Sequence, residues 1–290
     1  MAVIVNSTVT LTFLFGQFNC WLNFYLLFAI FYKREIPKKS ELSLIYCRFG
    51  IDMVYTFFGV SLSMLYFLVH QFFPDFAIKN LIFFIIWPAL ILGTIRANLV
   101  LLITFDRCLA ANFPIFHHNY RSKIPIILII SIFLIYTIFE HFVLFGFCDF
   151  TLNVPINCDT LICSVNLCYY NYWLLYEQLV YVLIGFFTIS LGFLFVWNNF
   201  METATTNHVI SKATRIALLD SIIICFFDII PTILLAHFPA LSFPNVGPLS
   251  AVSKNSGFLI EGIIICFFLF RKPKTTSVQA WSSSRISRSY

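Results

Sequence analysis

The chain has 290 residues, of which 60% are hydrophobic and 11% charged, with 37 phenylalanines and a formal net charge of +5; its mean hydropathy is +0.90. Soluble domains average about 25% charged residues, so a soluble globular protein is excluded: there is too little polar side chain to cover a core of this size. Disorder is excluded as well, because disordered chains are poor in aromatics and rich in charge, and what remains is an integral membrane protein.

Measured against a hydrocarbon core about 30 Å thick, the apolar runs predict seven spans. They lie at Thr8–Tyr32, Leu42–Val69, Leu81–Phe105, Ile126–Phe147, Glu177–Trp197, Ile216–Ala236 and Ala251–Phe270. None alternates with period two, so they are helices and not barrel strands. The first run lacks a basic start, is too long for a signal-peptide core and is followed at once by Lys33, Arg34, Lys38 and Lys39. It therefore reads as a retained anchor. The expected fold is an all-α membrane protein, a seven-transmembrane helix bundle over residues 1–270. A tail rich in Ser, Thr and Arg follows at 271–290 and is expected to be disordered and cytoplasmic.

The basic residues orient the bundle. Lys33, Arg34, Lys38 and Lys39 lie in one connection, Arg107, Arg121 and Lys123 in a second, Lys212 and Arg215 in a third, and Arg271, Lys272, Lys274, Arg285 and Arg288 in the tail. These fourteen share one face, against Lys79 alone on the other; Arg48, Arg96 and Lys254 fall within helices. The positive-inside rule then predicts an outside amino terminus and an inside carboxyl terminus. No basic patch with a groove offers itself to nucleic acid. Internal repeats and the paired broken helices of inverted-repeat transporters are absent from the sequence pattern.

Four of the nine cysteines, Cys148, Cys158, Cys163 and Cys168, fall in one outer connection between the fourth and fifth spans. An even number on the oxidising side argues for two disulfides, with all three pairings open; metal binding is disfavoured because no His accompanies them. The loop runs into Tyr169, Tyr170, Tyr172, Trp173 and Tyr176. These aromatics read either as an interfacial belt or as a stapled lid over a ligand pocket, with Glu140 and His141 lining it from the fourth helix. Asn6-Ser7-Thr8 is an outward glycosylation acceptor.

Ionisable groups in hydrocarbon are costly and are usually functional or paired. Counted from the inner face, Asp52, Arg96 and Glu261 each lie about 13 to 15 Å deep, with Asp228 slightly further out. They read as an intramembrane polar network centred on Arg96, either a static pair with Asp52 or a ligand or ion site. Arg48 lies near enough to the inner surface to snorkel. Pro231 is expected to kink the sixth helix beside Asp228, and Pro88 to bend the third.

The third span ends Asp106-Arg107-Cys108-Leu109-Ala110-Ala111-Asn112-Phe113-Pro114-Ile115. Asp106, Arg107, Pro114 and Ile115 resemble, in type and spacing, the Asp/Glu-Arg-Tyr triplet and following proline of rhodopsin-like G-protein-coupled receptors, with Cys108 in place of the tyrosine. On that resemblance Arg107 is an exchangeable latch, held by Asp106 or by Asp220 of the sixth helix, and Ile115 an apolar knob for the G protein. The longer stretch Ala110–Arg121, Phe145-Gly146-Phe147-Cys148-Asp149-Phe150, Tyr170-Asn171-Tyr172-Trp173 and Asn245-Val246-Gly247-Pro248 is similar to the nematode chemoreceptors called serpentine receptor class BC.

That resemblance implies a plasma-membrane receptor of sensory-neuron cilia that binds a small molecule outside and activates a heterotrimeric G protein inside. It implies no enzyme activity and no cofactor or metal. Unlike rhodopsin-like receptors, the chain has no cysteine at the outer start of the third span and no Asn-Pro-x-x-Tyr in the seventh. The alternative reading is a polytopic transporter or ion channel that uses Arg96, Asp52, Glu261 and Asp228 as its pathway.

Overall fold

The computed structural model describes residues 2–36, 42–73, 78–113, 115, 117, 119, 125–155, 158, 161–201, 212–238 and 247–270. All regular structure among them is helical, as a span in hydrocarbon requires: a helix satisfies its own backbone polar groups where no water can. Helix α1 covers Ala2–Phe31. Helix α2 runs through Ser43–Val54, a π-helical turn at Tyr55–Ser61 and Leu62–Phe72. Helix α3 is Leu81–Asn112, and α4 is Ile126–Phe142 extended by a second π turn at Val143–Phe147. Helix α5 is Leu167–Met201. Helix α6 joins Lys212–Ile224, a π turn at Cys225–Ile229 and Ile230–His237, and α7 is Leu249–Phe270. Six of these are long and apolar enough to cross a membrane by length and composition; α6 is the seventh member of the bundle. The expected tail, 271–290, lies outside the described residues.

The bundle has two ends. At one, both expected disulfides are present, joining Cys148 to Cys168 and Cys158 to Cys163. Asn80, in the left-handed conformation that Asn tolerates better than most residues (φ 65°), starts α3 there. Its side-chain oxygen accepts the Val154 amide at 2.8 Å, which ties the loop to α3. Asp149 closes α4 with another positive φ (46°), and the Phe150 amide reaches back to the Leu144 carbonyl at 3.1 Å. Gly247, at φ +81°, brings the start of α7 against Thr8 of α1, where a Cβ would collide with the threonine side chain. Helices α1 and α7 then run side by side in the same direction, with Tyr25 stacked on Phe270.

Helix α3 is central. It buries Leu99, Val100 and Ile103 among α1, α2, α5, α6 and α7, with Leu26, Ile30, Phe49, Ile216 and Ile265 closing the core at the Arg107 end. A second core, of Phe83, Trp87, Leu144, Val154 and Tyr169, lies under the disulfide loop. Outward-facing side chains are apolar, among them Phe18, Trp21, Ile135, Ile138, Phe186 and Ile189, while Arg48, Asp52, Arg96, Asp220 and Glu261 are buried. This inverts the pattern of a soluble protein, as a lipid-facing bundle must.

Helix α6 shows how one residue shapes the packing. Pro231 has no N–H to offer the Phe227 carbonyl four residues back, and the π turn at Cys225–Ile229 directly precedes it. The freed carbonyl accepts the hydroxyl of Ser253 in α7 at 3.0 Å. Gly257, one turn further along α7, permits that approach, since a Cβ there would lie 2.6 Å from Cβ of Phe227. Pro88 leaves α3 without such a turn.

The two disulfides differ in the chain they close, with sequence separations of 20 for Cys148–Cys168 and 5 for Cys158–Cys163. Loop-closure entropy grows with loop length, so Cys148→Ser is expected to destabilise the purified protein by about 2–4 kcal/mol. Cys163→Ser should cost about 1 kcal/mol less. Chemical unfolding in detergent measures both, and equal losses would count against the larger loop's structural role.

Candidate functional site

Five charged side chains from four helices meet in the half of the bundle nearer Arg107. Arg48 of α2 is the hub. Its Nη1 pairs with Oδ1 of Asp220 in α6, its Nη2 with Oε1 of Glu261 in α7, and its Nε lies 3.3 Å from Oδ2 of Asp52 one turn along α2. Arg96 of α3 donates from Nε to Asp52 Oδ1 at 2.7 Å and approaches Glu261 Oε2 at 3.6 Å. Its guanidinium also stacks over the Phe258 ring, 3.6 Å from the centroid. The Arg96, Asp52 and Glu261 association matches the depth reading, but Arg48 does not snorkel: its side chain is 2% exposed. A guanidinium near a helix end can reach sideways as readily as toward water, and three carboxylates lie sideways.

Asp228, expected beside Arg96, joins a second cluster instead. Lys254 of α7 places its Nζ 3.1 Å from Asp228 of α6, 3.3 Å from Glu177 of α5 and 3.0 Å from the Tyr181 hydroxyl, which itself donates to Glu177 at 2.9 Å. Lys254 and Glu177 are 21% and 22% exposed, against 7% or less for every side chain of the first cluster. Depth along the membrane is legible from residue counting; the face of the helix is not. Asp228 is turned to the α5–α7 side.

The disulfide end holds a third arrangement. Glu140 of α4, 1% exposed, accepts the hydroxyls of Tyr136, Tyr169 and Tyr172. Tyr176 stacks on Tyr136 and on Tyr172 and donates to Asn98 Oδ1 of α3 at 2.8 Å. Trp173 packs on the core below the loop. His141 faces Trp87, whose indole N–H can only donate; Nε2 therefore accepts at 3.3 Å, and Nδ1–H donates to the Thr137 carbonyl at 2.8 Å. Glu140, Tyr172 and Tyr176 thus belong to one hydrogen-bonded and stacked unit, with His141 held beside it. Cys168 is disulfide-bonded next to Tyr169, so the staple positions the tyrosine that reaches Glu140.

At the opposite end, Arg107 lies folded on its neighbour, donating from Nε to Asp106 Oδ2 at 3.1 Å and pairing through Nη2 as well. His117 Nε2 is 3.1 Å from the other Asp106 oxygen. Asp220, the alternative partner expected for Arg107, is engaged by Arg48. Ile115 is 78% exposed, and Pro114 lies outside the described residues. Asn6 lies within α1 itself, half-buried.

Sequence reading missed Arg48 as a hub, Lys254 with its partners Glu177 and Tyr181, and Tyr136 and Tyr169 as partners of Glu140. Lys254 carried a usable signal: it is a cation inside an apolar span, with Glu177 and Asp228 in neighbouring spans.

A family model described as serpentine type 7TM GPCR chemoreceptor Srbc matches residues 1–273. No curated protein matches the chain.

Removing one partner of a buried charge cluster strands the others and costs about 3–5 kcal/mol. Arg48→Ala, which strands Asp220 and leaves Glu261 only the 3.6 Å approach of Arg96, is expected to lose that much in thermal unfolding of the detergent-solubilised chain. Arg107→Ala should lose less than half of it, because Asp106 keeps His117. Equal effects would show that Arg48 does not hold the helices together.

Proposed function

Because the chain belongs to the Srbc family of serpentine seven-transmembrane GPCR chemoreceptors, we propose that it detects a small molecule at the disulfide end and activates a heterotrimeric G protein at the Arg107 end. The amino terminus and disulfide loop then face outward from the plasma membrane, by family resemblance that of sensory cilia, and Asn6 is on the side where glycosylation occurs. The asymmetry of lysine and arginine supports this orientation, as do the two disulfides, which need an oxidising compartment.

The observation that carries the reading is the pair of contacts at the inner end. Arg107 rests on the carboxylate next to it, so it can exchange Asp106 for a carbonyl of a G protein without first breaking a contact to another helix. What holds α6 closed is the Arg48–Asp220 pair. When α6 swings away, Arg48 keeps Asp52 and Glu261, so no guanidinium is stranded. Ile115 then docks in the opened face.

Ligand contact is proposed at the Lys254, Asp228 and Glu177 cluster, the more exposed of the two intramembrane charge clusters, below the Tyr172, Trp173 and Tyr176 lid. Lys254 is next to Ser253, which holds the freed Phe227 carbonyl at the π turn of α6. A ligand that shifts Lys254 therefore acts on α6 two turns from Asp220. It transmits a signal only if it binds the open arrangement better than the closed one.

The full-length chain, expressed with a G protein and a calcium readout, is to be screened against volatile and water-soluble compounds. For any compound that evokes a response, Arg107→Ala is expected to abolish it while surface expression persists. Undiminished signalling in that variant would refute the coupling role. Flux or current from the purified chain in vesicles without a G protein would favour a transporter.

A further inference from the structure

The Arg48 network is unbalanced. It encloses the carboxylates of Asp52, Asp220 and Glu261 but only the guanidinium groups of Arg48 and Arg96, and each of these side chains is at most 7% exposed. Fully ionised, it would bury one net negative charge. Burying an uncompensated charge is among the costliest arrangements in a protein, and a proton taken from solvent relieves it.

The geometry also says where a proton fits. Asp220 of α6 and Glu261 of α7 meet on the two terminal nitrogens of the same guanidinium, Nη1 and Nη2 of Arg48. Asp220 Oδ2 and Glu261 Oε1 are buried without a hydrogen-bond partner, although Glu261 Oε1 is close to Arg48 Nη2 as an ion pair. Asp52 accepts a 2.7 Å hydrogen bond from Arg96 and lies 3.3 Å from Arg48, and Glu261 Oε2 lies 3.6 Å from Arg96. The charged groups facing the pair are Arg48 and Asp52 from α2 and Arg96 from α3, besides Asp220 and Glu261 themselves. Helix α1, which packs along α2 and α7, has no charged residue. The other cluster with two carboxylates and one cation, around Lys254, is less enclosed, with Lys254 and Glu177 21% and 22% exposed.

We propose that the network is a proton-binding site: one proton, taken from bulk water, is held between Asp220 and Glu261 and bonds α6 to α7 in the closed bundle. The proton converts a repelling pair of carboxylates into a carboxylic acid donating to a carboxylate, and it brings the network to electrical neutrality. If α6 swings outward, Asp220 leaves the guanidinium groups and Glu261 for a more solvated position, and the proton returns to bulk water.

The sign follows directly. The closed bundle binds the proton more tightly than the open one, so acid favours the closed state and rising pH favours the open state. With one proton exchanged, the open-to-closed ratio changes by at most about tenfold per pH unit. This pH linkage rests on the outward motion of α6 proposed for activation; the proton site itself does not.

Infrared difference spectroscopy of the full chain in lipid nanodiscs tests the site. The wild type is expected to show, at neutral pH, a protonated-carboxyl C=O band that shifts in deuterium oxide. Glu261→Gln and Asp220→Asn should each remove it. Asp52→Asn should remove it too, since two carboxylates then balance two guanidinium groups without a proton, and Glu140→Gln should leave it in place. Absence of the band in the wild type at neutral pH would overturn the proposal, even if every network variant failed to fold. So would its loss in Glu140→Gln alone, or its loss on adding sodium chloride but not choline chloride, which would assign the site to a metal cation.

G-protein nucleotide exchange by the purified wild type should rise with pH and be flat for Asp220→Asn. A flat wild-type profile with the band present would overturn the link to α6 while leaving the proton site standing. A missing response to any ligand would bear on the receptor reading alone.

Discussion

The placement of Arg48 is the constraint on which the rest of the bundle depends. Van der Waals packing holds helices together in lipid without a hydrophobic driving force between them, so a few strong polar contacts have unusual influence over which helices are neighbours. Arg48 touches carboxylates of α2, α6 and α7, and Asp52 passes the connection to Arg96 of α3. Four helices are thereby joined by one continuous set of charge-assisted contacts in a medium of low dielectric. Moving any of them means replacing those contacts with others of similar strength. The bundle therefore favours discrete arrangements over gradual deformation, as a switch requires.

The π turns mark where these helices can change shape. The turn in α2 is braced by Ser61, which donates to the Thr56 carbonyl at 2.8 Å and accepts from Gln17 of α1 at 2.7 Å. The turn in α6 is braced by Ser253 of α7. In both cases a side chain satisfies a backbone or hydroxyl group at the irregular turn, which stabilises the irregularity. The α6 turn also lies between the two charge clusters, with Asp228 inside it and Asp220 one to two turns before it. The two charge clusters are therefore joined through a single helix segment.

Much of the fold was legible in the sequence because hydropathy reports position along the membrane normal. The seven runs correspond to α1–α7, and the charge levels of Asp52, Arg96 and Glu261 predict their association. What hydropathy does not report is direction around each helix axis. Asp220 and Asp228 lie on one helix eight residues apart, about 12 Å in rise, and the depth count groups Asp228 with Arg96, yet it is Asp220 that joins the Arg48 network and Asp228 that joins Lys254. Nothing local in the sequence shows that Arg48 turns inward; that depends on Asp220 and Glu261, 172 and 213 positions away in sequence. The pairing of Cys148 with Cys168 depends likewise on where α5 begins relative to α4, a fact of packing and not of spacing.

The same reasoning separates two jobs that one residue was expected to share. Arg107 was a reasonable candidate both for holding α6 and for meeting a partner, since its motif suggests a latch and Asp220 is at the right level. The structure gives the holding to Arg48 and leaves Arg107 folded on Asp106 at the bundle's edge. Arg107 is also buried, 4% exposed, but it bonds to a carboxylate of its own helix, so exchanging its partner moves no other helix, whereas Arg48 bonds to carboxylates of α2, α6 and α7. With the inter-helix contacts on Arg48 and a local one on Arg107, the strength of one set of bonds does not fix the strength of the other.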